Sequence, residues 1–224
     1  MRIVSLVPSA TETLRAWGVT PVACTRFCEQ PDLPTVGGTK NPDLEEIAGF
    51  RPDLVVLDEE ENRLEDHDVL VAAGVPVHVL AIRSVDDVAA QLPALADALG
   101  VEPGPLAPLP QPRRTELRAF VPIWRRPWMR LGRGTYGASL LERIGVAVVP
   151  TAGGRYDPTE LDAVHHERPD VVLVPSEPYR FSDRHLDELR DLAPVIRVDG
   201  QDLFWWGART PAAITRLAEQ IRGA

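Results

Sequence analysis

The chain has 224 residues, 44% of them hydrophobic and 25% charged, so it can bury a sizeable core as one large domain or as two small lobes. Its 24 Lys and Arg against 33 Asp and Glu give a formal charge of −9, a field that repels phosphate backbones and anionic lipid and so excludes nucleic acid as a partner. No run approaches the roughly 20 apolar residues of a membrane span. Residues 3–7, before Pro8, are also too few for the roughly 7–15 apolar residues of a signal peptide. A chain that starts at Met1 is therefore expected in the cytoplasm, and a trimmed one in the periplasm or at the cell surface.

Short β-rich runs alternate with amphipathic runs, which predicts an α/β fold. Residues 2–7 read as a strand. Ser9 and Glu12 have capping-box spacing, and the helix they open stops at Gly18. Strands near 22–25, at 53–57 and at 77–80 are separated by helices near 43–49 and 62–73. Ser84 opens a longer helix whose Val85, Val88, Ala89, Leu92, Leu95, Ala96 and Leu99 form one apolar stripe, with Pro93 expected to kink it. Residues 103–112 hold so many prolines that they read as a semi-rigid linker. Beyond it, strands are predicted at 117–124, 146–149, 170–174 and 195–198. Helices are predicted at 136–144, near 158–166, at 182–191 and from Thr210.

The two halves echo each other. Asn41-Pro42-Asp43-Leu44 leads to Arg51-Pro52-Asp53-Leu54, and Asp157-Pro158-Thr159-Glu160-Leu161 leads to Arg168-Pro169-Asp170-Val171. Each is a helix, a turn and a strand with Arg-Pro-Asp at the turn. The expected organisation is an N-terminal α/β lobe at 1–82, an interlobe helix and linker at 83–115, and a C-terminal α/β lobe at 116–224.

Ligands of open α/β sheets bind beyond the carboxyl ends of the strands. Of five tryptophans, Trp17 reads as core, whereas Trp124, Trp128, Trp205 and Trp206 cluster after strands of the second half with Phe204, Tyr136, Tyr179 and Phe181. Such faces suit a large flat apolar ligand, and they equally suit a plugged core. Two adjacent tryptophans on a strand could not both point inward. Glu59, Glu60, Glu61, Asn62 and Arg63 read either as an acidic helix start or as a polar rim for a ligand or partner. The five histidines lack ligand spacing and the cysteines are only Cys24 and Cys28, so no metal site and no cofactor is expected. Ser9 and Ser139 lack a nucleophile-elbow context, so no catalytic residue is named. Gly132-Arg-Gly134-Thr-Tyr-Gly137 matches a dinucleotide fingerprint, but residues 127–131 make a poor strand and the motif sits in mid-chain.

Several blocks carry a resemblance. Arg2-Ile-Val-Ser-Leu-Val-Pro-Ser-Ala-Thr-Glu-Thr-Leu14, Val36-Gly-Gly-Thr-Lys-Asn-Pro42 and the Arg-Pro-Asp-Leu-Val-Val run after it are similar to the helical-backbone metal receptors. That family is class III periplasmic-binding-protein-like and includes the cobalamin and ferric-siderophore substrate-binding proteins. Phe27-Cys28, Glu60-Glu-Asn-Arg63, Ile123-Trp-Arg125, Pro127, Ser176-Glu-Pro-Tyr179, Phe181 and Asp199-Gly200 resemble a branch without signal peptides. Gln30 stands where that branch leads one to expect histidine, and the proline-rich linker replaces part of the usual interlobe helix.

The resemblance implies two Rossmann-like lobes bridged by a long interlobe helix, with a ligand cleft between them. It also implies reversible, non-enzymatic binding of a corrinoid or ferric siderophore, whose metal belongs to the ligand. By position, Pro8, Ser9, Thr39, Lys40, Asn41, Glu60, Glu61, Asn62, Arg63, Trp124, Tyr136, Glu177 and Tyr179 would face the ligand. The aromatic pattern adds Trp128, Phe181 and Trp205. If the chain is exported, an ABC permease would be its partner, docked near Glu65 or Asp66 and near Asp183 or Glu188. The alternative is a cytoplasmic enzyme or cofactor-handling protein on the same fold.

Overall fold

The computed structural model describes residues 1–103 and 108–223. Two compact units emerge from the contacts. One holds Met1–Ile82, the described residues from Asp86 to Pro103, and Trp206–Ala208; the other holds Arg83–Val85, Pro108 to Trp205, and Arg209 to Gly223. Part of the predicted linker, residues 104–107, lies outside the described residues.

The first unit runs β1 (Ile3–Ser5), α1 (Pro8–Ala16), β2 (Ala23–Cys24), β3 (Gly37–Gly38), β4 (Asn41–Pro42), α2 (Leu44–Gly49), β5 (Leu54–Asp58), α3 (Leu64–Ala72), β6 (Val77–Leu80) and, from Asp86 on, α4 (Val85–Leu99). Its parallel sheet has the order β2-β1-β5-β6, and β3 and β4 form a separate antiparallel pair. Val4, Leu6, Val55, Leu57, Ile47 and Leu70 close the core between the sheet and α2 and α3. The central strands are buried along their whole length, as strands covered on both faces must be.

The second unit runs β7 (Leu117–Phe120), β8 (Pro122–Trp124), β9 (Met129–Leu131), α5 (Tyr136–Arg143), β10 (Val146–Val149), β11 (Tyr156–Pro158), α6 (Leu161–His166), β12 (Val171–Pro175), α7 (Asp183–Arg190), β13 (Val195–Val198), α8 (Gly200–Phe204) and α9 (Thr210–Arg222). Its parallel sheet has the order β10-β7-β12-β13, the same winding as in the first unit. A second sheet, β11-β9-β8, is antiparallel.

The sequence echo is a structural one. Arg51 and Arg168, just past α2 and α6, both take left-handed backbone (φ 45° and 49°), the conformation that ends a helix and turns the chain. Asp53 N donates to Arg2 O at 2.8 Å while Asp53 Oδ2 accepts from Arg2 N at 2.5 Å. Asp170 repeats this on Arg118, with its N on Arg118 O at 2.8 Å and its Oδ2 on Arg118 N at 2.7 Å. The acid of each Arg-Pro-Asp thus fastens the start of a sheet's third strand to the start of its first. Asp53→Ala and Asp170→Ala should each cost about 1–2 kcal/mol in denaturant unfolding, the loss of one such side-chain bond at a strand start. A cost at only one site would show that the two halves use the repeat differently.

Several expectations are corrected. Helix α1 begins at Pro8 with Val7 as its cap and no side-chain capping bond, because proline presets the first helical turn; Ser9 is therefore not the cap. Its hydroxyl instead accepts from Trp206 N at 3.3 Å. The predicted strand 117–124 is two strands in two sheets, since Pro122 lacks the N–H a continuing ladder needs. Residues 129–131 do form a strand, but an antiparallel one. Helix α3 starts at Leu64, two residues later than expected. Trp205 and Trp206 follow the short helix α8 rather than lying on a strand.

Candidate functional site

The strand-end loops of the first unit meet around Asn62, which is 8% exposed. Its Nδ2 donates to Leu6 O (3.2 Å) beyond β1 and to Thr39 O (3.0 Å) in the β3–β4 turn. Its Oδ1 accepts from Asp58 N (2.9 Å) at the end of β5. Three segments far apart in sequence are thereby tied to one side chain. Asp58, 2% exposed, folds the Glu-Glu-Glu loop over itself, its Oδ1 accepting from Glu60 N (2.9 Å) and Glu61 N (3.3 Å). Lys40 lies across this loop and donates to Glu60 O. Of the ligand-facing set expected here, Ser9, Thr39 and Asn62 are buried, Pro8 and Glu60 are half-buried, and Lys40, Asn41, Glu61 and Arg63 are exposed. A cavity of about 140 Å3 is lined by Leu57, Asp58, Asn62, Leu64, His67 and Val79 among others. That is well below the roughly 300–1,000 Å3 of a drug-sized ligand site, so it cannot by itself enclose a corrin.

Trp206–Ala208 belong to this unit through Ser9 and Thr13, whose hydroxyl accepts from Ala208 N at 3.2 Å. Gly207 (φ 114°) is required there, because a Cβ would stand 1.9 Å from Thr13 Oγ1.

The aromatic residues of the second unit divide into core and surface. Trp128 and Phe181 (8% and 4% exposed) stack at 5.8 Å inside the core, and Tyr136 (4%) is buried with its hydroxyl 2.9 Å from Thr210 Oγ1. These three, expected to face ligand, are buried in the unit. Trp124 at the end of β8 is 45% exposed and meets Tyr179 edge-to-face at 5.0 Å. Tyr179 is half-buried and backed by Phe181 at 4.8 Å, so the exposed Trp124 rests on a rigid floor. Arg125 lies 4.7 Å over Trp128 and bonds Glu188 at 2.7 Å, bracing the same loop.

A second cluster stands where β12 and β13 end. Glu177 Oε1 accepts from Trp205 Nε1 at 2.8 Å, and Arg209 lies 5.3 Å over the same indole. Gly200 lets this close, since a Cβ there would lie 2.6 Å from Glu177 N. Arg209 was not legible as a site residue. It sits far from any motif, and only the fold sets it over Trp205.

The remaining candidates are placed as follows. Glu65 is fully exposed, and its own backbone N–H and Arg63 hold its carboxyl below the usual value. Asp66 is buried at 8% exposure, which withdraws it from docking. Asp183 is exposed and bonds Arg197 at 3.0 Å, while Glu188 is taken by Arg125. The glycines of the fingerprint-like motif serve packing: a Cβ on Gly132 would lie 2.1 Å from Gly154 O, and one on Gly137 3.0 Å from Leu203 O. Among the described residues, no three His, Cys, Asp or Glu side chains come together as metal ligands, and no helix is long and apolar enough to cross a membrane.

Known proteins place this architecture. The family model described as periplasmic binding protein matches residues 3–103. The periplasmic heme-binding protein RhuT from Roseiflexus sp. RS-1 superposes with a TM-score of 0.79 at 21% identity, covering 99% of this chain and 98% of that one. The periplasmic vitamin B12 binding protein BtuF of Vibrio cholerae gives 0.74 at 17% identity, over 99% and 96%. The periplasmic heme-binding protein HutB of the same organism gives 0.75 at 19%, over 99% and 98%. Residues 3–103, which include Ile3–Leu14 and Val36–Pro42 in the β1–α1 and β3–β4 segments, thus match the periplasmic binding protein model, and the whole chain shares the α/β fold of these solved binding proteins.

Proposed function

We propose that the chain reversibly binds a metal chelate of the corrinoid, porphyrin or ferric-siderophore kind and returns it chemically unchanged. The exposed Trp124, set against half-buried Tyr179, carries this reading. A half-exposed indole braced edge-on by a tyrosine costs little conformational entropy to present, and it offers an apolar face to a flat macrocycle. Glu177, Trp205 and Arg209 add an acceptor and a fixed cation at neighbouring strand ends, which suits the amide or carboxylate fringe of such ligands. In the first unit, Lys40, Asn41, Glu61 and Arg63 are exposed polar groups at strand ends. The similar proteins named for vitamin B12 and heme support the ligand class. With an ABC permease as partner, Glu65 and Asp183 are the docking acids of the four candidates that remain exposed.

Purified protein mixed in turn with cobalamin, cobinamide, haemin and ferric siderophores should retain one of them at one per chain after desalting, read by absorbance and native mass. Trp124→Ala and Tyr179→Ala should each weaken that binding by about 10–100-fold, the range for truncating an aromatic anchor. Retention of none of the panel would overturn the reading, as would chemical conversion of the retained ligand.

A further inference from the structure

Cys24 ends β2, Cys28 stands in the turn after it, and both thiols are free and buried. In the parallel β1–β2 pair Cys24 is the register partner of Ser5, so the two side chains leave the sheet on the same face. Thr11 Oγ1 lies 2.8 Å from Ser5 Oγ and 3.2 Å from Cys28 Sγ, within reach of both. Thr25 Oγ1 stands 3.2 Å from the same sulfur, and Cys28 N closes the turn on Thr25 O at 3.1 Å. Thr11 thus links Ser5, the register partner of Cys24, with Cys28. Cys28 sulfur therefore sits among hydroxyls able to donate to it, beside a second thiol.

This surrounding favours a thiolate. Hydrogen bonds from Cys24, Thr11 and Thr25 bring the Cys28 thiol down to about 6 although burial acts the other way, and Cys24, whose partner is Cys28, is pushed up. The charges facing the pair are Asp32, which raises Cys24, and Arg15, which lowers it; they bond each other at 2.9 Å. Phe27, next to Cys28, is 48% exposed with Arg26 4.8 Å over its ring, so the turn that carries Cys28 reaches solvent.

We propose that Cys24 and Cys28 form a dithiol modification site at which hydrogen peroxide is reduced and an intrachain disulfide is made. Cys28 sulfur attacks one peroxide oxygen, the O–O bond breaks, and the departing hydroxide takes a proton to become water. Cys28 is left as a sulfenic acid. Cys24 sulfur then attacks Cys28 sulfur, the S–O bond breaks, and the Cys24 proton leaves with that oxygen as a second water. Two thiols lose two electrons and one peroxide gains them. This site is independent of the ligand class proposed above.

The test uses the reduced full chain, folded, with stoichiometric hydrogen peroxide. Both thiols should disappear with the loss of two hydrogens from one chain, and dithiothreitol should restore them. Cys24→Ser should stop at a dimedone-trappable sulfenic acid on Cys28. Its thiol should also be consumed at least about tenfold faster than that of Cys28→Ser, as expected for a thiolate against a buried thiol. The proposal is overturned if both thiols of the folded wild-type chain survive conditions that oxidise the urea-unfolded chain. Disulfides that join two chains, or equal rates for the two variants, overturn it as well. The wild-type result stands even if a variant fails to fold.

Discussion

Asn62→Ala should lower the unfolding free energy by about 3–4 kcal/mol, a larger loss than any single surface change in the first unit. The side chain makes three hydrogen bonds at 8% exposure, so its removal strands Leu6 O, Thr39 O and Asp58 N rather than returning them to water. A buried polar group left without a partner costs about 1–3 kcal/mol, and three share this side chain. Asn62→Asp keeps the acceptor for Asp58 N but puts a carboxylate against two carbonyl oxygens, so it should be no better than alanine. Denaturant unfolding of the ligand-free chain measures both. Hydrogen exchange should show the loss at the ends of β1 and β5 and in the β3–β4 turn. A cost below about 1 kcal/mol for Asn62→Ala would mean that the loops hold together without it. Where the residue was expected to touch ligand, the geometry makes it the clamp that positions Thr39 and Lys40.

The fold was legible because it is written twice. Apolar strands buried on both faces, glycines at helix ends and the repeated Arg-Pro-Asp turn are local signals, and they sufficed for two units wound in one order. The α8 helix and the β8–β9–β11 sheet were missed for a local reason too. They are short, and the strands exist because long-range pairing such as Pro158 with Met129 supplies what propensity does not. The site was less legible. A tryptophan reads the same in sequence whether it plugs a core, as Trp128 does, or stands in solvent, as Trp124 does; only packing decides. Trp205 and Trp206 show this most directly. The helix end parts them, sending one to Glu177 and burying the other at 4% exposure with the first unit. Asp58 carried no signal beyond closing an apolar strand, yet it organises the acidic loop.

The contribution of Asp58 to the stability of the chain should fall between about pH 4 and pH 7. Burial at 2% exposure pushes its carboxyl up to about 7, and the charges of Glu61 and Glu59 push the same way. The backbone N–H groups of Ile82 and Glu61 oppose this without overcoming it; the Ile82 N contact is long, at 3.4 Å. The folded state therefore binds a proton that the unfolded chain releases near pH 3.9. Where the folded state holds more protons, stability declines with rising pH. The contribution is whole below about pH 4, shrinks by about 1.4 kcal/mol per pH unit, and is gone above about pH 7. Summed over the window, this is on the order of 3–4 kcal/mol. Asp58→Asn keeps an oxygen for Glu60 N and Glu61 N and cannot ionise, so the difference between wild type and variant isolates this one group. That difference should favour wild type more at pH 4 than at pH 8, with its slope confined to the interval between. A flat difference from pH 4 to pH 8 would show that Asp58 stays ionised in the folded chain, held by its backbone donors against the cost of burial. If the slope appears, ionising Asp58 works against the loop that its own oxygens close, and the acidic loop of the first unit is more firmly set in mild acid than at neutral pH.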